Sequence, residues 1–497
     1  MGFDPAPFFC IAFVIFSVKG IVMLDSKPLW QHSATDLAEV VSTGRVSSRD
    51  CVESVVERVR ATNGSINAIV DDLGEDALRQ ADEHDRVLKS SGPIGPLHGI
   101  PVTLKENVDQ KGCATPNGVA AMANLIAPDD SPSARSLKAA GAIIIGRTNT
   151  PEFSLRVTTD NLLHGRTFNP WNNRASAGGS SGGAAAATMM GYGPLAHGND
   201  IGGSLRIPSF CCGAATVKPG LGRTPAYNPS AEAERGILAQ MMSVQGVIAR
   251  EVKDVRLGMK SMLSYDPHDP WMIECPFDGP VLESPIRVAF TKNAFEYSLH
   301  PAVNEALDVA ADALSDAGYE VVEVEPPDTR EIGELAMKCL LGEVKSLQED
   351  ALRQYGSPTF NAILDNYYDA CPPLLGNELL LGMAQRAHHL REWTLFLQHY
   401  PLVLTPLLLS PTYDWDEDTR GQQGIDRVLG ESFYARAFNF MGLPAGCVPA
   451  IYNGGLPLGV QIVGRLMRED LILDACEAIE NSTGVMAHKL WAGEYGV

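Results

Sequence analysis

Gly178-Gly179-Ser180-Ser181-Gly182-Gly183, then an alanine run from Ala184 to Ala187, then Asp200-Ile201-Gly202-Gly203-Ser204-Leu205-Arg206: this stretch decides how the chain reads. Glycine is costly in regular structure, so two clusters of it mark backbone with special dihedrals or a close approach to a ligand. Each cluster also sets serine hydroxyls where main-chain N–H groups lack ladder partners. A hydroxyl beside unpaired N–H groups is what acyl transfer requires, a nucleophile and an oxyanion hole.

Other readings of the stretch compete. A flexible tether would be rich in Gly and Ser too, but the residues between the clusters are small and apolar, as in a buried helix and strand. A phosphate loop needs a Lys-Ser/Thr pair after its glycines, and none follows. Gly179-Ser180-Ser181-Gly182-Gly183 satisfies the G-x-S-x-G pattern of a nucleophile elbow, with Ser181 as the nucleophile. That motif needs a strand directly before it, whereas Asn169-Pro170-Trp171-Asn172-Asn173-Arg174 reads as loop. On the residues alone, the first cluster and the second both stay open as the source of the nucleophile.

Composition bounds the setting. The chain has 497 residues, 45% of them hydrophobic, enough for one large α/β domain or a few smaller ones. Its 39 basic and 60 acidic residues leave a formal charge of −21, which argues against a nucleic-acid surface. The ten cysteines form no C-x-x-C pair and none sits at zinc-finger spacing. Reduced thiols and a cytoplasmic location are the expectation, with no metal site.

Phe8 to Val18 is apolar apart from Ser17, and Lys19 interrupts the run before Gly20 to Leu24. The run is too short for an unbroken membrane span. It also lacks the basic leading segment and small-x-small cleavage site of a secretory signal. Residues 1–22 are expected to lie outside the fold, as a non-native start or, as the alternative, a membrane anchor. Residues 23–497 are expected to form one domain, since neither a Pro/Gly/Ser-rich linker nor a repeat divides them.

Ser33-Ala34-Thr35-Asp36 and Ser47-Ser48-Arg49-Asp50 both predict helix N-termini, each a hydroxyl cap with an acid in the first turn. Val52, Val55, Val56 and Val59 then share one helical face. Ile66–Val70 reads as a strand, Asp76–Leu88 as a helix and Gly99–Leu104 as a strand with Lys105 at its end. Ser133–Ala140 reads as a helix, Ala142–Ile145 as a strand and Gly146–Asn149 as a turn. Further on, Ile286–Phe290 and Tyr319–Val324 read as strands around a helix at Pro301–Asp316. Asp328–Leu404 reads as helical, and Glu469–Ile479 as a last amphipathic helix. Such alternation predicts a parallel or mixed sheet covered on both faces. A lysine at a strand end is usually a surface charge, but Lys105 is flanked by core-like residues, and strand ends are where α/β proteins bind ligands.

Taken together, Gly99-Ile100-Pro101-Val102-Thr103-Leu104-Lys105-Glu106-Asn107, the Gly178–Gly183 cluster and Asp200–Arg206 resemble the amidase signature family. Gly146–Phe153, Val217–Arg223, Asn439–Pro444 and Gly455–Gln461 resemble further segments of it. The resemblance runs from about Ser33 to Glu480. It implies an α/β/α sandwich around a large mixed, mostly parallel sheet, with the substrate pocket built from a variable region at about 290–430. It implies hydrolysis of linear amides by a serine–cis-serine–lysine triad. By motif match Ser204 is the nucleophile, Ser180 the bridging serine after a cis peptide bond, and Lys105 the base. The N–H groups of Ile201, Gly202, Gly203 and Ser204 match the oxyanion hole, with Ser181, Asp200 and Arg206 in support.

The chemistry coheres without the family name. A serine hydroxyl attacks only when a neighbour takes its proton. Lysine can take it only when neutral, which burial favours. No cofactor is needed, and the expected partner is a small-molecule amide, with neither nucleic acid nor membrane involved and a homodimer allowed. The chain departs from the family at Asn199, where many members carry a hydroxyl, and reads Ile201 where many have threonine. Two other functions stay open: the glutamine-hydrolysing subunit of a tRNA-dependent amidotransferase, and a catalytically silent binding protein on the same fold. His164 and His197 are the candidates for a histidine-based alternative, but neither falls in a triad order with Ser181.

Overall fold

A computed structural model describes residues 24–493, so the expected extension at 1–22 lies outside the described residues. The Ser33 and Ser47 side chains accept hydrogen bonds from the Asp36 and Asp50 amides and start the helices Ala34–Ser42 and Ser48–Ile66. Val52, Val55, Val56 and Val59 of the second helix are all buried, as their spacing predicts.

Eleven strands build one sheet. They are β1 (Ile69–Asp72), β2 (Pro101–Lys105), β3 (Ile143–Thr148), β4 (Leu195–Asp200), β5 (Ala215–Lys218) and β6 (Val244–Ala249). The second half adds β7 (Arg287–Phe290), β8 (Glu320–Glu323), β9 (Leu402–Thr405), β10 (Ala445–Asn453) and β11 (Leu456–Gly464). Across the sheet the order is β1-β3-β2-β4-β6-β5-β10-β11-β9-β7-β8.

The side chains of these strands alternate between two helical layers. Ile144, Leu402 and Leu404 pack on one face with Val303, Leu307, Ile472 and Ile479, from the helices Pro301–Asp316 and Glu469–Thr483. Ile143 and Ile145 face the opposite layer, beneath Ser48–Ile66 and Gly182–Met190. Val403 and Ala289 point the same way, beneath Thr329–Leu347 and Phe433–Met441. The three layers make the expected sandwich on a large mixed sheet.

The balance within the sheet differs from expectation. Four of its ten pairings are parallel (β2 with β3 and β4, β7 with β8 and β9), and the other six are antiparallel. Helical crossovers serve the two flanks, but the middle is built from chain reversals. The clearest is Gly454-Gly455, both at positive φ, which joins β10 to β11 in a two-residue turn that only antiparallel neighbours can share.

Three boundaries also move. The helix from Ser48 continues through Ile66 and stops at Asn67 in the left-handed region, so β1 begins at Ile69. Gly146–Thr148, expected as a turn, completes β3. Leu402–Leu404, expected as helix, is strand β9 because β7 and β11 sit on either side of it.

Two features aim at one place. β2 and β4 run parallel, pairing Val102 with Leu195 and Thr103 with Ala196, so their C-terminal ends lie side by side. Gly182–Met190 packs so closely on the β3 end that a Cβ on Gly183 would lie 2.5 Å from the Asn149 amide nitrogen and 2.6 Å from its carbonyl oxygen. Gly183→Ala should therefore lower the midpoint of chemical unfolding, with a loss of about 1–3 kcal/mol. An unchanged midpoint would show that the helix can shift freely away from the sheet.

Candidate active site

Lys105 is the last residue of β2 and is wholly buried. Its Nζ donates to Ser180 Oγ at 2.7 Å, to Ser181 Oγ at 3.0 Å and to Asn199 Oδ1 at 2.8 Å. All three partners are neutral. Burial pushes the Lys105 ammonium down to about 7, against the opposing pull of the Asp200 and Glu106 carboxylates. The strand-end lysine is thus a buried amine poised near neutrality, not a surface charge.

The first glycine cluster delivers the two serines. Gly178 has a positive φ, and the Gly179–Ser180 peptide bond is cis. A Cβ on Gly179 would lie 2.4 Å from the Arg156 carbonyl oxygen, so only glycine fits there. Ser180 and Ser181 are buried at the head of the Gly182–Met190 helix.

The second cluster is folded around one carboxylate. Asp200, at the end of β4, accepts from the Gly203 amide at 2.7 Å and the Leu205 amide at 3.1 Å. Arg206 adds Nε to Oδ2 and Nη2 to Oδ1, each at 3.1 Å. Burial alone would raise the Asp200 carboxyl, but the Arg206 guanidinium holds it well below the usual carboxylate range. Arg206 is tied in turn to Gln461 Oε1 on β11 at 2.7 Å and to the Ala435 carbonyl at 2.9 Å. Asn439 closes the cage by donating to the Asp200 carbonyl at 3.2 Å.

Ser204 sits half-buried on this turn, at the floor of a cavity. The Ser181 amide donates to the Ser204 carbonyl at 3.2 Å, which joins the two clusters. No hydrogen bond links Ser180 Oγ to Ser204 among the described residues. Of the four amides matched to an oxyanion hole, that of Gly203 is taken by Asp200, while those of Ile201, Gly202 and Ser204 have no protein acceptor among the described residues.

The cavity rises from Ser204, Gly202 and Ile201. Its wall is apolar: Leu340, Leu341 and Val344 from Thr329–Leu347, Phe360, Ile363 and Leu364 from Pro358–Ala370. Two arginines reach it. Arg156 is locked to Asp418 by two hydrogen bonds of 2.9 Å, and Arg436 donates to Ser432 Oγ at 2.6 Å.

Neither histidine joins the serines. His197 Nε2 meets Gln245 Oε1 at 3.1 Å, and burial pushes its ring down to about 3, so it is neutral. His164 Nε2 meets Glu106 Oε2 at 2.9 Å. Among the described residues no group of three or more His, Cys, Asp and Glu side chains could hold a metal ion.

The sequence left several of these roles unread. Asn199 stood out only as a departure from the family pattern, yet it is a direct partner of Lys105. Asn439 and Gln461 lie within family-like segments, and a glutamine between Val460 and Ile462 was the available signal that a buried polar group is needed there. The cavity wall had no signal beyond its leucines.

A sequence model of the Amidase family matches residues 50–473. The chain belongs to the amidase signature family. An indoleacetamide hydrolase of Bradyrhizobium diazoefficiens is 45% identical over 93% of this chain and 89% of its own length. An acylamidase of Rhodococcus erythropolis is 32% identical over 89% of this chain and 93% of its own. The crystal structure of a bacterial aryl acylamidase superposes with a TM-score of 0.81 at 24% identity, over 94% of this chain and 99% of that one, which shows the shared fold. A glutamyl-tRNA(Gln) amidotransferase subunit of Rhodopirellula baltica stands further off, at 28% identity over 89% of this chain and 95% of its own. The amidase is an enzyme that hydrolyses amide C–N bonds.

The cage around Asp200 gives a direct test. Asp200→Ala leaves the Arg206 guanidinium buried without its counter-charge and should destabilise the amidase by about 3–5 kcal/mol in chemical unfolding. A near-silent substitution would mean that Gln461 and Asn439 alone hold the turn.

Proposed function

We propose that the amidase cleaves an aryl- or alkylacetamide, with indoleacetamide as the first substrate to test, through an acyl-enzyme on Ser204. The observation that carries this reading is Lys105, a buried amine near neutrality bonded to Ser180 Oγ at 2.7 Å, beside a cavity whose floor is Ser204. Neutral Lys105 takes the proton of Ser180 as Ser180 takes that of Ser204. The Ser204 hydroxyl has no protein partner among the described residues and is free to turn toward Ser180 for this transfer. Its oxygen attacks the amide carbonyl, and the free amides of Ile201, Gly202 and Ser204 receive the oxyanion. The proton returns through Ser180 to the leaving nitrogen, the C–N bond breaks, and ammonia departs. Water then attacks the ester by the same route and releases the acid.

The substrate class rests on the wall and on the relatives. Leucine, valine and phenylalanine side chains suit an apolar acyl group, and the 45% identical relative is an indoleacetamide hydrolase. Glutamine fits less well: its α-ammonium calls for an acid, and none lines the cavity, since Asp418 behind it is committed to Arg156. The nine cysteines among the described residues are free, which supports a reducing, cytoplasmic setting. No helix among the described residues is long and apolar enough to cross a membrane.

Ammonia release from indoleacetamide should show kcat/KM rising with pH through a midpoint near 7, because Lys105 works only when deprotonated. Lys105→Arg should lose about 10²–10⁴-fold in activity, since guanidinium keeps its proton at any usable pH. Ser204→Ala should abolish turnover and fluorophosphonate labelling, whereas Ser181→Ala should keep the labelling. Labelling that survives in Ser204→Ala and vanishes in Ser181→Ala would move the nucleophile to the first cluster.

A further inference from the structure

The amine of Lys105 has more partners than a neutral amine can treat alike. A deprotonated Nζ carries two hydrogens and one lone pair, yet Ser180 Oγ, Ser181 Oγ and Asn199 Oδ1 all lie within 3.0 Å of it. Asn199 Oδ1 is an amide oxygen and can only accept, so it takes one N–H. Ser181 Oγ sends its own hydrogen to the Asn199 carbonyl at 3.3 Å, so it also accepts from Nζ. Both hydrogens are then spent, and the lone pair is left facing the Ser180 hydroxyl at 2.7 Å.

The direction in which Asn199 points decides this pattern, and a second amide fixes it. Asn199 Nδ2 donates to Asn107 Oδ1 at 2.9 Å, and Asn107 Nδ2 donates back to Asn199 Oδ1 at 3.2 Å. Asn107 is itself held: its Nδ2 also donates to Ser154 Oγ at 3.0 Å, whose hydroxyl donates to Asn117 Oδ1 at 2.6 Å. A flipped Asn199 would point its NH₂ at the lysine and break the reciprocal pair.

We propose that Asn199, clamped by Asn107, is a positioning residue that aims the Lys105 lone pair at Ser180. The inference rests on Lys105 being the base. Asparagine gives Nζ an acceptor that never donates back. A serine or threonine at 199 could donate its own hydrogen to Nζ and compete for the lone pair, whereas an amide oxygen cannot. The same three partners also receive the three N–H groups of the ammonium once the proton has moved, so the transfer needs no rearrangement. Three titratable groups act on Nζ through their charge besides these partners: Asp200 and His197 on β4, and Glu106 just beyond β2. Asp200 stays ionised and His197 neutral around pH 7, so neither changes charge across the active range.

Asn199→Asp and Asn199→Leu, made in the full-length amidase and checked for folding by circular dichroism, test this with indoleacetamide. The aspartate is still an acceptor of the same size, but it adds a negative charge 2.8 Å from Nζ. Its rising limb of kcat/KM should move to higher pH by about one unit or more. The leucine removes the acceptor and frees the amine to rotate, so kcat should fall by about tenfold or more with KM little changed. Asn107→Leu should mimic it, and the double leucine variant should be no worse than the worse single one. An unmoved limb in Asn199→Asp, or wild-type kcat in both leucine variants, overturns the proposal. If the wild type itself lacks the limb and Lys105→Arg is active, the base reading has failed instead, and the two failures are told apart.

Discussion

An ionised carboxylate sealed from water persists only where donors are packed around it, and Asp200 meets five, from the amides of Gly203, Leu205 and Arg206 and from two nitrogens of the Arg206 side chain. That arrangement shapes the backbone. To bring three amides onto one side chain the chain must curl tightly after β4, and the curl turns the Ile201, Gly202 and Ser204 amides away from Asp200 with no acceptor of their own among the described residues. Arg206 then reaches β11 through Gln461, so the turn after β4 is anchored to the antiparallel middle of the sheet.

Two buried ionisable groups of this crevice, on the ends of β2 and β4, are treated in opposite ways. Asp200 is given a guanidinium and keeps its charge, while Lys105 is given two hydroxyls and an amide and sheds its charge near neutrality. Lys218 sharpens the point, because burial pushes it down to about 7 as well. Its Nζ donates to the Pro219 carbonyl, which has no proton to give. A lowered pKa does not by itself make a base. The proposed role of Lys105 rests equally on the hydroxyl beside its amine.

What could be read from the chain follows from what is local. The helix caps at Ser33 and Ser47 and the valine face of Ser48–Ile66 are set by residues three and four apart, and they were legible. The glycine clusters were legible because a Cβ at Gly179 or Gly183 meets backbone, a constraint that leaves few other residues free to stand there. Strand direction was not, since it depends on which strands become neighbours in space. Nor was β9, a short apolar run after a long helical region that only β7 and β11 turn into a strand. The pairing of Asn199 with Asn107 was out of reach for the same reason, since Asn199 lies on β4 and Asn107 in the turn after β2.

The cavity wall has a second occupation. Leu341, Val344, Phe360, Ile363, Leu364 and Tyr367 line the cavity and also form much of a small hydrophobic cluster of their own, apart from the two layers that clasp the sheet. Under the proposed function, reshaping this cavity for a bulkier or slimmer guest draws on the packing of that satellite. Guest shape and local cohesion are therefore coupled in one small group of helices. A substitution that widens the guest space there also loosens the cluster that supports it.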